Sequence, residues 1–520
     1  MGTSLFGVLN MSQQSLANSQ TALSVVSNNI SNMNSTGYSK QTVVTNAIPA
    51  YDTYNWCSSV GSLQIGHGAE VVSVQRSRAQ WLDNYFRDQN TSSGYYSQLG
   101  SMTNNVENML NDELSSTGLQ QKLSDFFTAS QSLTSDPTNN AYRIAFLNSA
   151  QGVSNLLNSM SSELTTLRSQ AVGTVNDADS FNNSLINMNT EEFNSKLSQL
   201  ATVNGDIAQS MASGSANNDL LDKRDVILDD LSKMMPLTVT SNTNGTVNVL
   251  INNQTVVKGG EQVLTVKAIQ TNNDADPVKI QLIEKDGKIK DDDISEYMTD
   301  GSLKAIIDSA TDEDLSYQSV LKELDKFANA FATEINKIQT GTGADGSSPY
   351  CLSADGKKLI KSTENMFVTS DGTAAFTAAN IKISDTVKNN PNLVATARGD
   401  DTIDVNAVGN TKNMELFNKL ADTQIDGLSL EGVVNGKQTL SAFITSLVSD
   451  VGSKVQTVTA ATESQASVLE QATTQRSSYT GVDLNQELSD LIKYQRSYEA
   501  SARIFNVATQ LTQLLTQLGQ

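Results

Sequence analysis

The feature that most constrains this chain is the uncharged state of its two ends. No Asp, Glu, Lys or Arg occurs between Met1 and Ser39, and none follows Arg503, in a chain that carries 35 basic and 56 acidic residues. Each end also has the spacing of a helix. From Val482 to Leu518 there is no Pro and no Gly, and Leu484, Leu488, Leu491, Tyr498, Ala502, Phe505, Ala508, Leu511, Leu515 and Leu518 recur in steps that put them on one helical face, with Gln495 in the missing slot. Such a helix is roughly 55 Å long, too one-sided to be stable alone. At the other end Leu5, Leu9, Ser12, Leu16, Ser19, Leu23, Val26 and Ile30 follow an unbroken 4-3 heptad spacing. Spacing alone permits either two strands of one coiled coil or two ordinary core helices. Charge separates them. An exposed helix is normally laced with Lys and Glu, whereas a helix enclosed by copies of itself would hold each charge near its like-signed image, out of water. Ser, Asn, Gln and Thr hydrogen-bond across such a contact instead. Both ends read as self-assembly segments.

With 520 residues the chain is long enough for several cores, and its net charge of −21 argues against nucleic acid and anionic membrane surfaces. Two cysteines, Cys57 and Cys351, make neither a disulfide framework nor a metal cluster. A single histidine, His67, excludes His-based metal sites and His-dependent triads, so no cofactor, metal or catalytic residue is expected. No apolar run is long enough to span a membrane, and the N-terminus lacks the pattern of a cleavable leader. Export, if it occurs, is expected by a route that cleaves none.

In chain order, an Asn- and Gly-rich turn after Ile30 gives way to extended segments at Thr42–Thr45 and Ala69–Val74, then to helices from Ser77 to Met235. Phe146, Ala150, Val153, Leu157, Met160, Leu164, Leu167 and Ala171 form one apolar stripe. Phe193, Leu197, Leu200, Asn204, Ile207 and Met211 form another, with Asn204 as a polar register residue. Asp222, Asp225 and Asp229 share a helix face, which reads as a solvated face with Asp219 paired to Lys223 rather than as a cation site. Between Pro236 and Ile289 the period changes to two, with turns at Asn244-Gly245, Gly259-Gly260 and Asp286-Gly287, as in a small antiparallel β domain. Helices return at Tyr317–Ile338 and Ile444–Ala472 around a second insert rich in Gly, Asp and Thr. The expected fold is mainly α with inserted β domains: terminal coiled-coil helices (1–45 and 480–520), a long antiparallel helical bundle (46–236, 300–340 and 411–479), a β-rich insert (237–299) and a second, variable insert (341–410).

Within this frame lie motifs that resemble a known family. Ser27-Asn28-Asn29-Ile30-Ser31-Asn32, Asn34 and Gly37-Tyr38-Ser39-Lys40-Gln41 match the N-terminal motif of the flagellar rod, hook and hook-associated proteins, with Thr36 where Pro is common and Lys40 where Arg is common. Leu491–Ile504, Asn218–Asp225 and Asp325–Lys337 resemble segments of the family's hook–filament junction branch. The resemblance implies a structural, secreted subunit that passes unfolded through the flagellar type III export apparatus. Such a subunit forms a homo-oligomeric ring at the hook tip and contacts the hook protein and the second hook–filament junction protein. It also implies that the last helix, through Leu491, Tyr498, Phe505, Leu511 and Leu515, binds a cytoplasmic export chaperone. A hook or distal rod protein is the alternative within the family, although those lack the long bundle between Phe146 and Met234. A surface-binding or enzymatic insert is the alternative outside it, and no motif supports one.

Overall fold

The computed structural model describes residues 5–48, 66–111, 118–214, 217–273, 277–311, 316–343, 345–430 and 436–518. Helix α1 (Leu5–Asn32) leads into β1 (Gln41–Ala47) and β2 (Ala69–Arg76), antiparallel with a bulge at Val44/Thr45. Six helices follow: α2 (Gln80–Asn111), α3 (Leu119–Ser135), α4 (Asn140–Val172), the short α5 (Ala178–Asn182), α6 (Leu185–Ala212) and α7 (Asn218–Met234). Next come strands β3 (Thr238–Ser241), β4 (Val247–Ile251), β5 (Gln254–Lys258), β6 (Glu261–Gln262), β7 (Leu264–Gln270), β8 (Val278–Glu284) and β9 (Ile289–Asp291). Helices α8 (Ser302–Thr311) and α9 (Tyr317–Thr340) precede β10 (Ser348–Leu352), β11 (Leu359–Lys361), β12 (Phe367–Thr369) and β13 (Ile381–Ile383). The chain ends with α10 (Asp385–Asn389), β14 (Ala397–Gly399), α11 (Lys412–Leu420), β15 (Ile425–Asp426), β16 (Lys437–Gln438), α12 (Leu440–Thr480) and α13 (Leu484–Leu518). The fold is thus mainly helical, with several small open antiparallel sheets.

Local signals start and stop these helices as their side chains require. Asn139 and Asn217 accept backbone N–H groups at the starts of α4 and α7, Ser316 and Ser319 form a reciprocal capping box on α9, and Asp483 accepts the N–H groups of Asn485 and Gln486 where α13 begins. The α4 stripe predicted from spacing is buried from Phe146 through Leu164 and at Ala171.

The described chain divides into two compact units. One comprises Met1–Thr91, Ser195–Leu264 and Ala466–Gln520; the other comprises Ser92–Asn194 and Thr265–Gln465. In the second unit, seven phenylalanines form a connected chain of ring contacts. Phe331 on α9 touches Phe126 on α3, Phe327 on its own helix and Phe367 on β12, with centroids 5.4, 6.0 and 5.3 Å away. Phe126 meets Phe146 of α4 at 5.0 Å, Phe146 meets Phe417 of α11 at 5.5 Å, and Phe327 meets Phe443 of α12 at 6.3 Å. All seven are fully buried, so the rings supply the apolar area that holds these helices and strands together.

Amides on helices fix several strands of both units. In the second unit, Asn336 of α9 both donates to Phe367 O and accepts from Phe367 N, at 2.9 Å each, and Gln339 treats Leu393 O and Ala395 N in the same way. Also there, Arg143 is fully buried and donates to Pro137 O, Val394 O and Thr396 Oγ1; burial lowers its pKa to about 10. The strand run expected as one β domain divides here into two sheets, β3–β6 and β7–β9. Helix α6 holds both. Its Asn204 pairs with Val247 N and O and with Gly259 O in the first unit, whereas its Asn194 pairs with Val266 N and O in the second. Asn204 therefore clamps strand backbone and is not a register residue between helices.

Candidate assembly surface

The terminal helices pack along each other in the first unit, antiparallel, and α1 also touches β1 and β2. The buried line of α1 is Ser12, Ser19, Ala22, Val26 and Asn29. Opposite it on α13 the buried positions are Glu487, Ser501 and Ala508, multiples of seven apart. Ser15 and Ser501 share a hydroxyl hydrogen bond at 2.8 Å, and Ser19 donates to Ser497 at 3.3 Å. Small side chains bring the two backbones close while the hydroxyls satisfy one another.

This seam leaves the bulkier residues at its edges or outside it. Leu5, Leu9, Leu16, Leu23 and Ile30 of α1 are half-buried, as are Leu491, Ala502 and Phe505 of α13. Leu484 and Tyr498 are exposed, and Leu488, Leu511 and Leu515 keep 45, 47 and 61% of their surface in solvent. Ile492, Ile504, Val507 and Leu514, which the spacing argument did not select, are exposed as well. The described part of α13 thus presents apolar side chains that no element of the single chain covers. The side chain of Leu518 lies outside the described residues.

The Asn-rich motif forms the base of the helix pair. Asn29 is 1% exposed and uses its whole amide. Its Nδ2 donates to Gln41 O at 2.9 Å and to Glu487 Oε2 at 3.0 Å, while its Oδ1 accepts from Gln41 N at 3.0 Å and from the Tyr38 hydroxyl at 2.8 Å. Lys40 pairs with the other oxygen of Glu487 at 2.8 Å, so the one buried charge of the seam is neutralised. Burial first, then Asp222, Asp219 and Glu487, push the Tyr38 phenol up to about 12, which keeps it a donor. Gly37 has φ +80°, and a Cβ there would stand 2.2 Å from Val226 Cγ2. Only glycine suits that turn against α7. Asn28 and Asn32 hydrogen-bond each other on the surface, and Asn34 is exposed.

Beside this base lies a cluster that the sequence reading missed. Asp222 and Asp225 are buried, not solvated. Asp222 accepts from Arg76 at 2.6 Å and from the Ser39 hydroxyl and N–H at 2.7 and 3.1 Å. Asp225 receives Arg76 and Arg78 at 3.0 Å and Arg224 at 2.8 Å. Asp229 takes Arg87 at 2.9 Å and Arg476 at 2.6 Å, and the Arg476 guanidinium lies 3.5 Å from the centre of the Phe86 ring. Burial opposes ionisation of Asp225, yet Arg78, Arg224, Arg76 and Arg87 outweigh it and hold the carboxyl at about 2. The signal was present in the sequence as Arg76, Arg78 and Arg87, but their partners lie far along the chain on α7. Among the described residues, no group of His, Cys, Asp or Glu is arranged to hold a metal ion. No described helix is long and apolar enough to cross a membrane.

The paired, antiparallel ends fall in the segments that match models of flagellar rod-class proteins. Residues 9–38 match the flagella basal body rod protein model, and 474–518 match the flagellar basal body rod FlgEFG protein C-terminal model. Residues 103–349 match the flagellar hook-associated protein FlgK helical domain. Flagellar hook-associated protein 1 of Bacillus subtilis (strain 168) is 26% identical, with 98% of this chain and 97% of that protein covered. The proteins of that name from Salmonella typhimurium (strain LT2) and Escherichia coli (strain K12) are 26% and 24% identical, each with 98% of this chain and 99% of the relative covered. The solved structure of the flagellar hook junction protein FlgK from Burkholderia pseudomallei shares the fold, with a TM-score of 0.57 at 12% identity over 76% of this chain and 100% of that one. The chain belongs to the flagellar hook-associated protein FlgK family. It is a structural, secreted component of the bacterial flagellum.

Proposed function

We propose that the chain assembles as a ring at the hook tip, through the outward faces of α1 and α13, and there joins the hook to the filament. The observation that carries this reading is the uncovered face of α13, with Leu488, Leu511 and Leu515 in solvent on a helix that has no charge after Arg503. An apolar face of that extent costs solubility unless a partner covers it, and its neutrality suits copies of itself. The inward faces are already occupied by the α1–α13 seam, so assembly uses Leu484, Leu488, Tyr498, Leu511 and Leu515, with Leu5, Leu9, Leu16, Leu23 and Ile30 at the seam edge. The hook protein lies below the ring and the second hook–filament junction protein above it. Before export the same face of α13, around Leu491, Tyr498, Phe505, Leu511 and Leu515, is held by a cytoplasmic chaperone in a helix-in-groove contact. The chain then travels unfolded through the flagellar type III apparatus. Leu488→Asp and Leu511→Asp test the reading. Each is expected to leave the circular dichroism and thermal unfolding of the purified monomer unchanged, while cells make hooks, shed filament subunits into the medium and do not swim. Normal swimming in both variants contradicts it.

A further inference from the structure

The arginine–aspartate cluster contains a cleft that the assembly function does not use. About 180 Å³ of open volume is lined by Arg76, Arg78, Arg87 and Arg224 with Asp83 and Asp225. Four guanidiniums and two carboxylates line it, while Asp222 and Asp229 pair with Arg76 and Arg87 from outside that lining. Both carboxylates are already engaged. Arg78 holds both oxygens of Asp83, at 2.9 and 3.2 Å, and Asp225 takes Arg224 on one oxygen and Arg76 and Arg78 on the other. The unmet hydrogen bond lies on the donor side. Arg87 is 7% exposed, its Nε is used by Asp229, and its Nη2 has no hydrogen-bond acceptor; Asp225 Oδ1 stands 3.7 Å away, beyond hydrogen-bonding reach. A buried guanidinium N–H without an acceptor is unfavourable, and an oxyanion is the acceptor that arginine forks fit best.

We propose that this cleft binds a small inorganic oxyanion of the phosphate or sulfate class, with Arg87 Nη2 as a required donor. Such an anion would tie β2, the start of α2 and the start of α7 to the β3–β4 hairpin, since residues of all four line the cleft. Inorganic phosphate titrated into the purified full-length chain, at ionic strength held constant with sodium chloride, is expected to bind saturably at one site and to raise the unfolding temperature. Arg87→Lys keeps a positive charge but loses Nη2, and is expected to weaken phosphate about tenfold or more. Asn84 is an exposed residue of the cleft wall, so Asn84→Asp adds a negative charge without removing an ion pair. It is expected to weaken phosphate by a similar factor and keeps the test decisive if Arg87→Lys does not fold. The proposal is overturned if phosphate stabilises no more than chloride, which would leave water in the cleft, or if both folded variants bind as wild type does. Acetate binding as tightly as phosphate would also overturn it, by making a carboxylate such as a neighbouring copy presents the preferred ligand.

Discussion

Replacing Asn29 by Ala isolates what the Asn-rich motif contributes. The substitution removes four hydrogen bonds at a position 1% exposed, two to Gln41 backbone, one to Glu487 and one from Tyr38. The partners fare differently. Glu487 retains Lys40 and the Tyr38 hydroxyl is only half-buried, so both recover part of the loss. Gln41 is buried at the first residue of β1, and its N–H and C=O lose the acceptor and donor that Asn29 supplied. Two orphaned buried groups at about 1–3 kcal/mol each, offset by a few tenths for the better helix propensity of Ala, give a loss of about 2–5 kcal/mol for the first unit. Urea unfolding of the purified monomer measures the total, and amide exchange in α1, β1 and α13 shows where it falls. Asn28→Ala is the control: Asn28 bonds only Asn32 on the surface, and a change within about 0.5 kcal/mol is expected. A loss below about 1 kcal/mol for Asn29→Ala, or equal losses for both variants, refutes the reasoning.

Two further predictions concern the cores. Asp225 has its carboxyl lowered to about 2, so its contribution is fully present above the unfolded value near 4 and disappears as pH falls through about 2. The first unit is therefore expected to lose about 2 kcal/mol between pH 4 and 2, and Asp225→Asn is expected to flatten that part of the pH profile in urea unfolding. Phe331→Ala removes the ring that touches Phe126, Phe327 and Phe367, and is expected to destabilise the second unit by about 3–5 kcal/mol, read as a lower unfolding midpoint for that unit alone.

Period and punctuation made most helices legible, because a core stripe such as Phe146–Leu164 has to repeat with the helix whatever it packs against. The terminal seam was harder to read. Leucine spacing puts apolar residues along α13, but the single chain pairs its ends through Ser12, Ser19, Ser501 and Ala508, since small residues permit the closest approach. Which face meets which partner is a property of the assembly that one helix does not carry. The burial of the α7 aspartates is hidden in the sequence for a related reason. A carboxylate spaced one turn from the next looks solvated until Arg76, Arg78, Arg87 and Arg476 arrive from distant segments. Asparagines are ambiguous in the same way: Asn29, Asn194, Asn204 and Asn336 each mimic a strand edge, and nothing in their local spacing distinguishes that use from a polar slot between helices.

In the assembled flagellum copies of the chain are expected to cover the outward face of α13, and thiol labelling checks this. Leu511→Cys, with Cys57 and Cys351 replaced by Ala, places one thiol on that face, and Tyr297→Cys in the same background places one at an exposed position of the second unit. Maleimide should label both thiols rapidly in the purified monomer. On isolated hooks bearing the assembled protein, the account predicts that the thiol at position 511 is protected at least tenfold while that at 297 still reacts. Equal labelling of position 511 before and after assembly would contradict it.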